Sequence, residues 1–115
     1  MFNFEKLEVW QKGVTFAALV YRLTRGFPGD ERFGLTNQIR RAAVSIASNV
    51  AEGSARPPAD YARFIGYASG SLSEVVTQAT IARNEGFLSL ADYEWLYGDA
   101  EEISRMLTGL RRSLE

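Results

Sequence analysis

Apolar residues recur along this chain at steps of three and four, the period of an amphipathic helix, and nowhere alternate with polar ones as a half-buried strand requires. The first periodic stretch runs from about Phe4 to Arg25. It follows Asn3, a candidate N-cap, and stops where Gly26 and Pro28 break the chain. A second runs from about Leu35 to Glu52 and ends at Gly53, with Leu35, Ile39, Ala42, Ala43, Ile46 and Val50 on its apolar side. The third begins after Pro57 and Pro58, near Asp60, and continues to Glu85 before Gly86, with Tyr61, Phe64, Ile65, Ala68, Leu72, Val76 and Ala79 on one stripe. The fourth opens at Ser89, which stands three residues before Asp92 in a capping-box-like spacing, and carries Tyr93, Leu96, Ala100, Ile103, Leu107, Leu110 and Leu114. Connections this short force neighbours to run antiparallel. The fold class expected is all-α, an antiparallel up-down-up-down four-helix bundle forming a single domain over residues 1–115.

The first stretch carries more apolar surface than one core contact uses. Leu7, Trp10, Val14, Ala17 and Tyr21 make one stripe, and Val9, Phe16, Val20 and Leu23 make another roughly opposite it. If the first stripe closes the bundle, the second is a contiguous exposed hydrophobic strip, which monomers rarely tolerate. Val9, Phe16, Val20 and Leu23 are therefore the candidate oligomer interface, and a homo-oligomer is expected. Trp10, Tyr21, Phe64 and Tyr93 are read as core aromatics.

The second stretch adds a polar stripe beside its apolar one, because Gln38, Arg41, Ser45, Asn49 and Glu52 fall within about 80° of arc on a helix. Two readings are open. The stripe forms a polar network with a neighbouring helix, Arg41 reaching a carboxylate such as Glu74. Alternatively Arg40 and Arg41, followed by Arg56 and Arg63, form a phosphate-contacting patch for RNA or DNA. In the third stretch Gly66 and Gly70 interrupt a helix at a cost of about 0.8–1 kcal/mol each relative to alanine, for which close approach of another backbone is the expected reason.

Composition narrows the chemistry. The 115 residues include no cysteine and no histidine. Disulfides, thiolate nucleophiles, the commonest general base and the commonest metal ligand are thereby removed. Glu101 and Glu102 are adjacent and point about 100° apart on a helix, and no Glu-x-x-His partner exists for a two-metal bundle site. No catalytic residue, metal, cofactor or small-molecule substrate is expected. The start of the chain, MFNFEKLEVWQK, lacks the features of a signal peptide, and no run approaches the roughly 18 apolar residues of a membrane span. A cytoplasmic location away from membranes is expected. Net charge is −1, but residues 1–63 hold nine Lys/Arg against six Asp/Glu, and residues 64–115 hold four against eight.

The run LEVWQKG, then Tyr21, then GFPGDERFGLTNQIRRAAVSIASNVAEGSAR, then GSLSE with the following Thr77, resembles the family typified by the protein encoded in intervening sequences of bacterial 23S ribosomal RNA genes. The similarity covers essentially the whole chain. It implies a bacterial cytoplasmic protein, a bundle of four helices and assembly into a homopentameric ring, in a family with no established enzymatic activity. A related group serves as the accessory subunit of diversity-generating retroelements, in which a basic pentamer engages a reverse transcriptase and nucleic acid. Carried over from that group, Arg40, Arg41 and Arg56 are the positions that would contact phosphate. The sequence pI of about 5.5 departs from the strongly basic character expected of such a subunit.

Overall fold

A computed structural model describes all 115 residues and contains four long helices with no strand. We number them α1 (Glu8–Thr24), α2 (Leu35–Ser54), α3 (Pro58–Asn84) and α4 (Leu90–Ser113). Short 3-10 turns at Asn3–Lys6 and Gly29–Glu31 precede α1 and α2. The breaks fall where backbone chemistry demands them. Pro58 supplies the first position of α3, where its missing N–H removes no intrahelical bond. Gly86, the one residue with left-handed backbone (φ 79°), ends α3 in a Schellman closure in which the Phe87 N–H donates to the Ala82 carbonyl at 2.8 Å. The Ser89 hydroxyl accepts from the Asp92 N–H at 3.1 Å and caps α4.

The first helix departs from its expected start. Leu7 is extended (φ −75°, ψ 124°), so the Asn3–Lys6 turn and α1 are separate pieces joined at a bend that the Gln11 side chain bridges to the Glu5 carbonyl at 2.8 Å. Asn3 lies inside the turn and does not cap α1.

The helix pairs in backbone contact are α1–α2, α2–α3, α3–α4 and α1–α4, so consecutive helices are neighbours and the last closes on the first. This is the up-down-up-down bundle, 43 × 22 × 22 Å. Phe16, Val20, Ile39, Ile46, Val50, Ile65, Val75, Leu96, Ile103 and Leu107 fill its axis and are almost wholly excluded from solvent.

Two buried glycines set the closest crossings. A Cβ at Gly13 would lie 3.3 Å from the Ala47 Cβ, which brings α1 onto α2. A Cβ at Gly53 would lie 2.7 Å from the Phe64 Cβ, which brings α2 onto α3. Gly66 and Gly70, for which this role was expected, do not serve it. The neighbour of Gly66 is the flexible end of the Arg111 side chain, and Gly70 has nothing within 4 Å.

Candidate interaction face

The two stripes of α1 are disposed opposite to expectation. Val9, Phe16 and Val20 are buried in the core of the chain's own bundle, at 5, 1 and 0% exposure, and Leu23 packs partly buried against them. They cannot be an oligomer interface. The reason is the width of the arc. Buried Gly13, Leu19 and Thr24 flank this stripe and make it the broader one, and Gly13 lets α2 approach it closely.

What faces outward is the other stripe. Val14 and Tyr21 are 45 and 41% exposed, with Ala18 exposed between them and Trp10 and Ala17 half-buried at the α2 side. Tyr21 is thus a surface residue and not the core aromatic expected. On α2, Arg40 stacks over the Tyr21 ring at 4.7 Å and Ala47 meets Gly13, so Val44, between those two tie points and 44% exposed, lies alongside the α1 stripe. Exposed Ser48 extends the patch by one turn. Along α1 no charge occurs between Lys12 and Arg22, and along α2 none between Arg41 and Glu52, while Arg40 reaches the patch at Tyr21. Those two charge gaps are the sequence signal of this face, and the apolar period alone does not carry it.

The predicted polar network crosses between helices at one point only. Ser45 and Ser71 share a hydroxyl contact of 2.5 Å from α2 to α3. Asn49 donates to the Ser45 carbonyl of its own helix, and Glu52 pairs with Arg56 at 2.7 Å. Gln38, Arg41, Ser45, Ser71, Glu74 and Gln78 line an open polar groove, but Arg41 and Glu74 form no ion pair across it.

The four arginines proposed for phosphate do not converge. Arg40 is pinned inside the bundle surface, its Nε donating to the buried Thr24 hydroxyl at 2.8 Å and its Nη2 to the Tyr21 carbonyl at 3.3 Å. Arg56 lies sixteen residues further on, about 24 Å along a helix. There Arg56 pairs with Glu52 and Arg63 with Asp60 at 3.1 Å, and both lie over the Phe64 ring at 4.7 and 5.7 Å. The Glu52 carboxylate holds the Arg56 pKa above its ordinary value, chiefly by accepting a hydrogen bond from it. Arg41 alone of the four is exposed without a carboxylate partner.

A charged cleft lies between α1 and α4, where Glu8, Lys12, Asp99 and Glu102 line a space of about 320 Å³. Lys12 donates to Glu102 at 2.8 Å, and that bond first, then the carboxylate charge, raises the lysine pKa above 10.5. A lysine so held stays protonated and is a poor base or nucleophile. Burial pushes the Tyr61 hydroxyl up likewise, and its oxygen finds no hydrogen-bond partner. No helix is long and apolar enough to cross a membrane.

None of the curated proteins matches the chain. Among solved structures, a crystal structure of a protein of unknown function from the S23 ribosomal protein family of Bacteroides thetaiotaomicron VPI-5482 superposes with a TM-score of 0.83 at 22% identity, over 90% of this chain and 95% of that one. At that identity the likeness shows a shared fold. The family model described as the 23S rRNA-intervening sequence protein matches residues 5–109. With nearly the full length matched and the same helical fold, the chain belongs to the 23S rRNA-intervening sequence protein family.

Proposed function

We propose that this protein is a non-enzymatic interaction module that assembles with copies of itself through the outer face of α1 and α2, in the five-membered ring that its family resemblance implies. The observation that carries the reading is the exposed apolar patch of Val14, Ala18, Tyr21 and Val44, bordered by Arg40 over the Tyr21 ring, because monomers rarely leave a contiguous apolar surface open. Absence of histidine and cysteine, together with a protonated, ion-paired Lys12 in the charged cleft between α1 and α4, supports a role in binding over chemistry. Sedimentation velocity of wild type against Val14→Asp tests it. Wild type sediments as an assembly and the variant as a folded monomer; a monomeric wild type at tens of micromolar ends this reading.

A second reading, a nucleic-acid-binding accessory protein using a basic face of the first two helices, draws on one feature. Residues 9–29 and 32–51 contain six Lys/Arg and no carboxylate. Binding to a generic RNA or DNA duplex across a salt series decides it, since phosphate contacts give an affinity that falls steeply with ionic strength. Absence of binding at low salt removes it.

A further inference from the structure

Helix α4 carries two adjacent carboxylates that point about 100° apart, and their surroundings differ. Glu102 turns toward α1, where the chain supplies its own cation: Lys12 donates to it at 2.8 Å. Glu101 lines the groove between α3 and α4, and no cation of the chain lies within the 4 Å of an ion pair. Arg83 of α3 is engaged elsewhere, over the Tyr93 ring at 4.5 Å. Arg105, one turn along α4, is exposed and does not pair with Glu101.

The aromatic rings repeat the contrast. Tyr21, Phe33 and Trp95 are exposed, and each has an arginine guanidinium over its face, at 4.7, 5.4 and 5.3 Å. Tyr97, 41% exposed and one turn before Glu101, has none; its aromatic neighbour is Tyr93, at 5.8 Å. Beside Tyr97 and Glu101 the groove, about 320 Å³, has Leu72, Val76 and Ala100 as its apolar floor. An electron-rich ring face, an unpaired carboxylate and apolar surface together suit an organic cation. A metal ion needs several oxygen ligands, and no three carboxylates of the chain converge to hold one.

We propose that the α3/α4 groove is a binding site for a small organic cation, an ammonium on an aromatic or alkyl body. Its charge sits by Tyr97 and Glu101, and its body lies on Leu72, Val76 and Ala100. The volume is near the lower end of the roughly 300–1,000 Å³ of ligand sites, which fits a ligand the size of an aromatic amine. The Thr77 and Ser104 hydroxyls line the same groove and can accept from ammonium N–H groups. The other two grooves are unsuited to such a ligand. Lys12 already bridges the one between α1 and α4, and the one between α2 and α3 has Ala42 as its one apolar lining residue beside the cationic Arg41. Around the bundle the α3/α4 side lies opposite the α1/α2 face, so the site stands independently of the self-association proposed above.

The probe is para-fluorophenethylammonium, with para-fluorophenethyl alcohol as its neutral counterpart. Broadening of the fluorine NMR signal is followed as the whole protein is added at neutral pH and low salt, and circular dichroism confirms that each variant is helical. The ammonium is expected to bind saturably, with a dissociation constant below about 10 mM, and the alcohol several-fold more weakly. Glu101→Gln and Tyr97→Leu each weaken the ammonium by about twofold to fivefold, the range of an exposed ion pair or cation–π contact. Thr77→Trp, which fills the groove, abolishes binding. Asp99→Asn removes the same charge from the other side of α4, in the α1/α4 cleft, and leaves the affinity unchanged. The proposal is overturned if the ammonium does not saturate, if the alcohol binds equally well, or if Thr77→Trp still binds. It is overturned too if either Glu101→Gln or Tyr97→Leu binds as wild type does, or if Asp99→Asn weakens binding as much as Glu101→Gln, which would make the effect that of net charge.

Discussion

Helix α1 presents two apolar stripes of similar composition, and their fates differ completely. Val9, Phe16 and Val20 disappear into the bundle, while Val14 and Tyr21 remain nearly half exposed. The same contrast recurs among glycines. Gly53 sits where a methyl group would strike Phe64, and Gly70, equally unfavourable in a helix, faces open space. Composition therefore does not tell a position that closes the fold from one that waits for something outside it. Neighbours do: the inward stripe is widened by Gly13, Leu19 and Thr24, and the outward one borders on Arg22 and Arg25.

The sharpest way to break this comparison is Phe16→Ala. At 1% exposure in the core, its loss costs about 3–5 kcal/mol by chemical denaturation, a figure a surface residue cannot produce. A cost below about 1 kcal/mol would return Phe16 to the surface. Gly53→Ala comes next. The added methyl lies 2.7 Å from the Phe64 Cβ and 3.1 Å from the Tyr61 ring, so the α2–α3 seam must open. Overpacking of this kind costs about 1–3 kcal/mol, and the gain in helix propensity returns part of it, leaving a net loss in the melting temperature.

Much of the fold was legible before the structure, for reasons visible at particular residues. Gly26 with Pro28, Gly53, Pro57 with Pro58, and Gly86 are strong enough punctuation to place three loops, and the apolar period supplies the helices between them. The start of α1 was not legible, because Phe4 and Leu7 keep the helical period through a segment whose backbone bends at Leu7. Nor was the direction in which α1 faces. Two stripes roughly 130° apart at 100° per residue satisfy the same periodicity, and packing against Ala47 decides between them. The glycine reading failed similarly: Gly66 and Gly70 catch the eye by their spacing, yet Gly13 and Gly53 do the packing. For the candidate face, the relevant signal is the absence of charge over residues 13–21 and 42–51, which a search for functional side chains overlooks. The spread of the arginines was not legible either, because a sequence shows their number and not that carboxylates at Glu52 and Asp60 hold two of them.

On the open side of the comparison, Gly70→Ala has the opposite sign from Gly53→Ala. With nothing within 4 Å, the methyl meets no obstacle and the helix gains about 0.8–1 kcal/mol, read as a raised unfolding midpoint. Should the variant instead be less stable, or assemble less well than wild type, the outer face of α3 is covered by a neighbour and belongs to the interface.

The smallest effect comes from the seam between α1 and α4, where a charged cleft lies beside buried Phe16 and Ile103. Lys12 and Glu102 meet at 2.8 Å with about two-fifths of each side chain in solvent, so water and salt screen the pair. The lysine pKa is raised above its ordinary 10.5, mainly by the hydrogen bond to Glu102. A cation whose pKa is higher folded than unfolded contributes its stabilisation fully below the unfolded value and loses it as pH climbs through the folded one. Glu102→Gln should therefore lower the melting temperature only slightly at neutral pH and low salt. That difference shrinks as salt is added, and shrinks again as pH climbs through the raised lysine pKa above 10.5. A difference that persists unchanged at high salt and high pH would mean that Glu102 acts by packing along α1 and that the ion pair is incidental.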